Sequence, residues 1–252
     1  MSTNPPLRCR ALLDLDALAT NLVRVRSALS PDAPLIAMVK ADAYGLGTRH
    51  VVPVLREVGV RCFGVATASE ARALRDQGVT DRVVVFGPFA PGMEEEVLAS
   101  AAEATVSSVA EIEGFAAAAG QAPVRLHVEI DTGMGRAGLR ADDVERWAPE
   151  IARALDLPGV TWTGVFTHLH SADEPGRPGS GDQVRAFQSV IDHLDPPAHV
   201  ERHIANSAAA FWSELPEGTG ARPGIYLYGG EVAGAPGPEP VVTLDAAIVR
   251  VV

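Results

Sequence analysis

The chain's 252 residues, 47% of them hydrophobic, can bury a large core as one β/α barrel or as two modest domains. Its 32 acidic and 21 basic residues give a formal charge of -11 with no local basic patch to offset it, which disfavours nucleic acid and anionic membranes as partners. The two cysteines, Cys9 and Cys62, sit in patterns that suit core or near-core positions rather than a disulfide framework, and this fits a reducing compartment. Residues 1–10 hold no apolar stretch of signal-peptide length, and nowhere do about 18 apolar residues run without a charge, so the expectation is a soluble, cytoplasmic protein without a membrane span.

In chain order, residues 8–15 are strand-like and residues 16–29 carry a helical pattern. From there, short runs rich in Val, Ile and Phe alternate with Ala- and Leu-rich stretches whose charges recur at helical spacing. Strands are predicted at 35–39, 62–65, 82–86, 104–106, 124–130, 161–167, 200–204 and 220–222. The helices between them are predicted at 47–58, 69–77, 91–99, 109–118, 141–155, 182–194 and 207–214, with Ser69, Asp142 and Asp182 as candidate caps or first-turn acids. Such alternation means parallel strands joined by helices, and eight strands close an α/β (β/α)8 TIM-type barrel; a doubly wound open sheet shares the pattern.

Two segments interrupt the pattern. SADEPGRPGSG at 171–181 follows a strand directly and reads as a loop at the functional mouth, whereas GGEVAGAPGPEP at 229–240 reads as an exit from the barrel. The following VVTLDAAIVRVV is a strong strand former that reaches the last residue without a turn, which points to a polypeptide cut short. The expected organisation is therefore a barrel domain over 8–235 and the truncated start of a C-terminal β-domain over 236–252, with the strand at 8–15 pairing in that same outer region.

Lys40 ends the first predicted barrel strand, at the face where barrels build their sites. Strand periodicity puts Ile36, Met38 and Lys40 on one side; if that side points inward, the lysine reaches the mouth from an apolar wall. Partial desolvation there would favour the neutral amine that attacks an aldehyde, although a lone lysine at a strand end can equally be a snorkelling surface residue. Ser207, opening a predicted helix, and Gly224, permitting close backbone approach, suit a phosphate. His127 and Glu129 share a strand face, and a barrel histidine can be simply a hydrogen-bonded core residue.

VKADAYGLG at 39–47 resembles the pyridoxal phosphate (PLP) lysine segment of the alanine racemase family. EIDTGMGRAG at 129–138, FTHLHSAD at 166–173, HIANSAA at 203–209 and RPGIYLYG at 222–229 resemble four further blocks of that family in the same order, so the resemblance covers essentially the whole chain. It implies a PLP-binding barrel followed by a β-rich domain, in a homodimer that interconverts L- and D-alanine.

By position, Lys40 resembles the Schiff-base lysine and one of two bases, and Tyr44 the tyrosine whose hydroxyl reaches the cofactor phosphate. Arg136 resembles the arginine beside the phenolic oxygen and the substrate carboxylate, and His168 the histidine beside the ring. Asn206 and Ser207 match the pair at the phosphate end, Gly224 and Ile225 the residues whose N–H groups hold phosphate, and Arg222 the arginine facing the pyridine nitrogen. A guanidinium keeps its proton, so a ring nitrogen facing it accepts a hydrogen bond, which weakens the ring as an electron sink and favours proton exchange at Cα over transamination.

Where many family members carry a carbamylated lysine, this sequence has Glu129, a permanent carboxylate that would orient Arg136. In the resembled family the second base is a tyrosine from the other subunit's C-terminal domain; Tyr226 and Tyr228 match barrel positions instead, so this chain alone is expected to bind PLP but to racemise slowly or not at all. Three alternatives remain at this level: a PLP barrel of the cofactor-homeostasis type, a D-amino-acid lyase or dehydratase with a metal held near His168, His170, Asp173, Glu174 and His203, and a barrel kept for interaction alone.

Overall fold

A computed structural model describes residues 9–120, 122–174, 179–213 and 215–247. Parts of four sequence readings lie outside the described residues: most of the signal-peptide test region, the middle of the 171–181 loop, Glu214, and the end of the last strand.

The chain runs β1 (Cys9–Leu13), α1 (Leu15–Ala28), β2 (Ala37–Met38), α2 (Thr48–Glu57), β3 (Cys62–Val65), α3 (Ala68–Asp76), β4 (Arg82–Val85) and α4 (Glu94–Ala99). It continues through β5 (Glu103–Val106), α5 (Val109–Ala118), β6 (Val124–Asp131), β7 (Leu139–Arg140), α6 (Val144–Leu155), β8 (Val160–Thr167), α7 (Ser180–Leu194), β9 (Glu201–Ala205), β10 (Gly220–Ala221) and β11 (Val242–Ala246). Strands β2, β3, β4, β5, β6, β8, β9 and β10 lie side by side in that order, all parallel, with the short β7 appended to β6.

A parallel bridge between Leu35 and Ala221 closes the ring, with Ile36 N–H to Ala221 O at 2.9 Å, Ala221 N–H to Pro34 O at 2.8 Å and Met38 N–H to Pro223 O at 2.9 Å. The eight strands predicted from alternation are thus the staves of a (β/α)8 barrel, and the open-sheet alternative falls. Side chains sort by strand period: Ile36 and Met38 pack inside with Cys62, Val84 and Phe86, while Ala37, Val39, Phe63 and Val85 face the helices.

Four expectations need correction. The helix expected at 207–214 is a single 3-10 turn, Ala209–Phe211, because Asn206 Oδ1 takes the N–H groups of Ala208 and Ala209 at 3.1 Å each and turns the chain locally. The cap of α3 is Thr67 rather than Ser69; it forms a capping box with Glu70. Cys9 is exposed, since β1 stands outside the ring, paired antiparallel with β11. Lys40 is exposed rather than desolvated, because the mouth above β2 is open on this side.

After Lys40 the backbone does something no propensity scale suggests. Ala41, Asp42, Ala43 and Tyr44 have φ of 52°, 51°, 56° and 57°, one turn of left-handed helix. At about 1–2 kcal/mol per L-residue the turn is costly, so its surroundings must hold it. Glu70 Oε1 accepts from Ala41 N–H at 2.7 Å, and Asp42 Oδ1 accepts from the N–H and hydroxyl of Thr48 at 2.7 and 2.9 Å. Those bonds also hold the Asp42 carboxyl below its usual range. The outcome is that Tyr44 swings back over the barrel mouth, its ring 4.7 Å from that of Tyr228.

Candidate active site

A cavity of about 530 Å³ opens at the C-terminal ends of the barrel strands. It is lined by Lys40, Tyr44, Glu129, Arg136, His168, Asn206, Ser207, Arg222, Gly224 and Ile225, so every residue that the resemblance, with Glu129, puts at the cofactor site reaches one space. Met38, Phe86, Met134 and Phe166 supply its apolar wall. A larger cavity of about 650 Å³ lies at the other end of the barrel, beside α1 and residues 58–62; apolar side chains and arginines line it together with Ser27 and the buried Cys62, whose thiol burial pushes up to about 12.

One side of the mouth is built to receive an anion. Ser207 Oγ accepts from Gly224 N–H at 3.0 Å and Tyr226 N–H at 3.3 Å, which leaves the proton of the hydroxyl itself to donate. A Cβ on Gly224 would lie 2.2 Å from the Tyr44 hydroxyl, so only glycine lets the two segments meet there. Ile225 is 52% exposed beside them. The donors at this corner are the Ser207 and Tyr44 hydroxyls, with the Gly224 and Tyr226 N–H groups holding Ser207 Oγ in place, and the N-terminus of a helix expected behind Ser207 is not there to add to them. Burial raises the Tyr44 phenol, keeping it a donor at neutral pH.

The floor is cationic. Arg222, 6% exposed, spans from β10 to the ends of β8 and β9: its Nη1 donates to His203 Nδ1 at 2.8 Å and His203 O at 2.5 Å, and its Nη2 donates to Thr167 O at 2.8 Å and lies 3.4 Å from His168 Nδ1. Burial pushes the guanidinium down to about 10, with Glu129 opposing the shift and Arg136 adding to it, so it remains a cation at neutral pH. Burial, then the charges of Arg222, Arg136 and Lys40, push His168 down to about 3 and keep that ring neutral. Burial raises the Glu129 carboxyl, opposed by the charges of Arg136 and Arg222 across the cavity.

Two residues beneath this floor differ from, or are missing from, the sequence reading. His203, suggested above as a metal neighbour, points into the barrel with both ring nitrogens engaged, stacked on Phe166 at 4.9 Å. Among the described residues no three His, Cys, Asp or Glu side chains are grouped to hold a metal ion. Glu103, buried at the closed end, was not singled out at all. Its only signal is one acid opening the short, fully buried strand EATV.

Fold and cavity together define a (β/α)8 barrel with a pocket of mixed polar and apolar lining at the C-terminal face of its strands. The family comparison narrows this: residues 13–232 match the family described as alanine racemase, N-terminal domain, and the chain belongs to that family. It is 36% identical over 231 residues to the alanine racemase of Desulfosudis oleivorans, covering 87% of this chain and 59% of that protein. It is also 36% identical over 249 residues to the alanine racemase of Thioalkalivibrio sulfidiphilus, covering 96% of this chain and 67% of that one. The solved alanine racemase from Streptomyces coelicolor A3(2) superposes with a TM-score of 0.85 at 33% identity, over 96% of this chain and 67% of its own. The chain thus spans roughly three fifths to two thirds of the length of these relatives.

Proposed function

We propose that this chain is the PLP-binding barrel of a cytoplasmic enzyme that interconverts L- and D-alanine, and that the complete protein works as a homodimer. The observation that carries the reading is that an amine, an anion-binding corner and a buried guanidinium line one cavity. The donor set fits PLP: a primary amine for its aldehyde, the Ser207 and Tyr44 hydroxyls for its phosphate, and a cation for its ring nitrogen. When bound, PLP supplies an electron sink that makes the Cα hydrogen of an amino acid acidic.

The chain's own residues then divide the work. Lys40 holds the cofactor and moves the proton on the one face of Cα that its strand end reaches. Ser207, Tyr44 and the backbone around Gly224 and Ile225 bind phosphate, with Asn206 shaping the turn. Arg222 would donate to the ring nitrogen and leave it unprotonated, His168 would flank the ring as a neutral imidazole, and Arg136, its charge balanced by Glu129 across the cavity, would bind the substrate carboxylate.

Inversion needs a proton donor on the opposite face. The three tyrosines here are committed elsewhere: Tyr226 donates to Pro236 O at 2.9 Å, Tyr228 donates to Met38 O at 2.8 Å, and Tyr44 faces the Gly224 corner. We therefore propose that the second base comes from outside these 252 residues, that residues 8–235 form the PLP domain, and that 236–252 belong to a second, β-rich domain. Absorbance of the purified chain with PLP tests the reading: a visible band that survives dialysis and is bleached by borohydride is expected, with D-alanine formed from L-alanine only over hours. Absence of the band, or D-alanine formed at an ordinary enzyme rate, overturns the corresponding half.

A further inference from the structure

Beneath the cavity a line of polar groups crosses the barrel interior. Glu103 Oε2 lies 2.7 Å from His127 Nε2, His127 Nδ1 lies 2.9 Å from His203 Nε2, and His203 Nδ1 lies 2.8 Å from Arg222 Nη1. Both histidines are fully buried, and Gly164 on the neighbouring strand makes room for the first, since a Cβ there would fall 2.0 Å from His127 Nδ1.

The chemistry at the two ends dictates every proton between them. Glu103 is surrounded by donors: Arg82 Nε at 2.7 Å, Arg82 Nη2 at 3.0 Å, Arg125 Nε at 3.2 Å, Thr163 Oγ1 at 3.3 Å and His127 Nε2. Burial alone would raise this carboxyl, but the bonds from His127 and Arg82 hold it well below the usual range, so it only accepts. His127 therefore carries its hydrogen on Nε2 and accepts at Nδ1. Arg222 only donates, so His203 must accept at Nδ1 and carry its hydrogen on Nε2, facing the His127 lone pair. One proton fits each contact, both rings are neutral, and any other arrangement sets two N–H groups head to head.

We propose that Glu103 is a positioning residue for Arg222, acting across the barrel through His127 and His203. Its carboxylate fixes the tautomer that keeps His203 Nδ1 an acceptor. That acceptor, with the His203, Thr167 and His168 contacts, occupies both terminal nitrogens of Arg222 and leaves Nε–H for whatever fills the cavity. That Arg222 is held for a cofactor rests on the function proposed above; the proton arrangement does not.

The test uses the 252-residue chain without PLP, labelled with 15N in histidine and arginine. Two-bond 1H–15N spectra are expected to show His127 and His203 as neutral Nε2–H tautomers. In Glu103→Gln the amide can offer N–H to His127 instead, and the His203 pattern is expected to move to, or exchange with, the Nδ1–H form while the Arg222 Nε–H resonance shifts. After PLP loading, the same variant is expected to show a displaced visible band and about tenfold weaker cofactor binding at an unchanged far-UV spectrum. Nδ1–H on His203 in the native chain overturns the proposal whether or not the variant folds. So does a variant in which His203 and Arg222 signals stay put, or in which they move while the cofactor band does not. A native chain that binds no PLP sinks the proposed function instead, and the histidine and arginine spectra still decide the proton arrangement.

Discussion

The closed end of the barrel and its open mouth use the same residue types in opposite ways. At the closed end Glu103, His127 and His203 have every polar atom engaged by another part of the chain, and Arg82 ties Glu103 to Glu201 at 2.5 Å. At the mouth, Lys40 and Arg136 are exposed, Ile225 is 52% and Met134 36% exposed, and Ser207 keeps a hydroxyl proton to spare. A saturated network can only hold shape; an unsaturated one waits for a partner. Rigidity below and free valence above are the division of labour expected where a pocket must be preorganised.

Substitutions separate the two ends. The largest effect is expected at the mouth: Lys40→Ala should abolish the borohydride-sensitive visible band while leaving the thermal melt within a degree or two, as read by absorbance and circular dichroism. Next comes Gly164→Ala, which drives a methyl group into the His127 ring; because that ring is bonded at both nitrogens it cannot step aside, and about 3 kcal/mol of stability should be lost in urea melts. A loss under about 1 kcal/mol would mean the closed end is more plastic than described.

Acid sharpens the contrast further. His203 is held well below its usual range by burial, and His168 down to about 3, so both bind a proton in the unfolded chain before the folded one. Their contribution is complete above about pH 6.5 and falls by about 1.4 kcal/mol per pH unit per histidine below it. Glu103 has the opposite charge but the same direction: its lowered value stabilises above the ordinary carboxylate range and is lost only as pH falls through that range toward the folded value. Melts from pH 8 to 4 should bend near the first of these points, and a flat profile between pH 6.5 and 5 contradicts neutral buried rings. The smallest effect is expected for Ser207→Ala, which strands the Gly224 and Tyr226 N–H groups at a cost of about 1–2 kcal/mol and weakens PLP binding roughly tenfold by titration.

The staves were legible because a buried parallel strand is a short apolar run, and Cys62–Val65 and Val109–Ala118 fall where periodicity puts them. The mouth residues were legible because family blocks and strand ends coincide. Two things were hidden for physical reasons. The left-handed turn at Ala41–Asp42–Ala43–Tyr44 contains no glycine, and what stabilises it comes from Glu70 and Thr48, outside the segment. The Glu103 network joins residues on strands β5, β6 and β9 with the chain just after β10, and no local pattern reports that they meet.

The ring is shut by its two shortest staves, β2 and β10, which come from opposite ends of the barrel sequence. Lys40 follows one side of that seam; Arg222 and Gly224 follow the other. Joining such distant stretches of chain carries a loop-closure cost, and the pocket is complete only with this joint closed. A molecule bonded to Lys40 and gripped beside Gly224 would act as a clasp across the joint, and its main kinetic signature would be slower opening rather than faster folding.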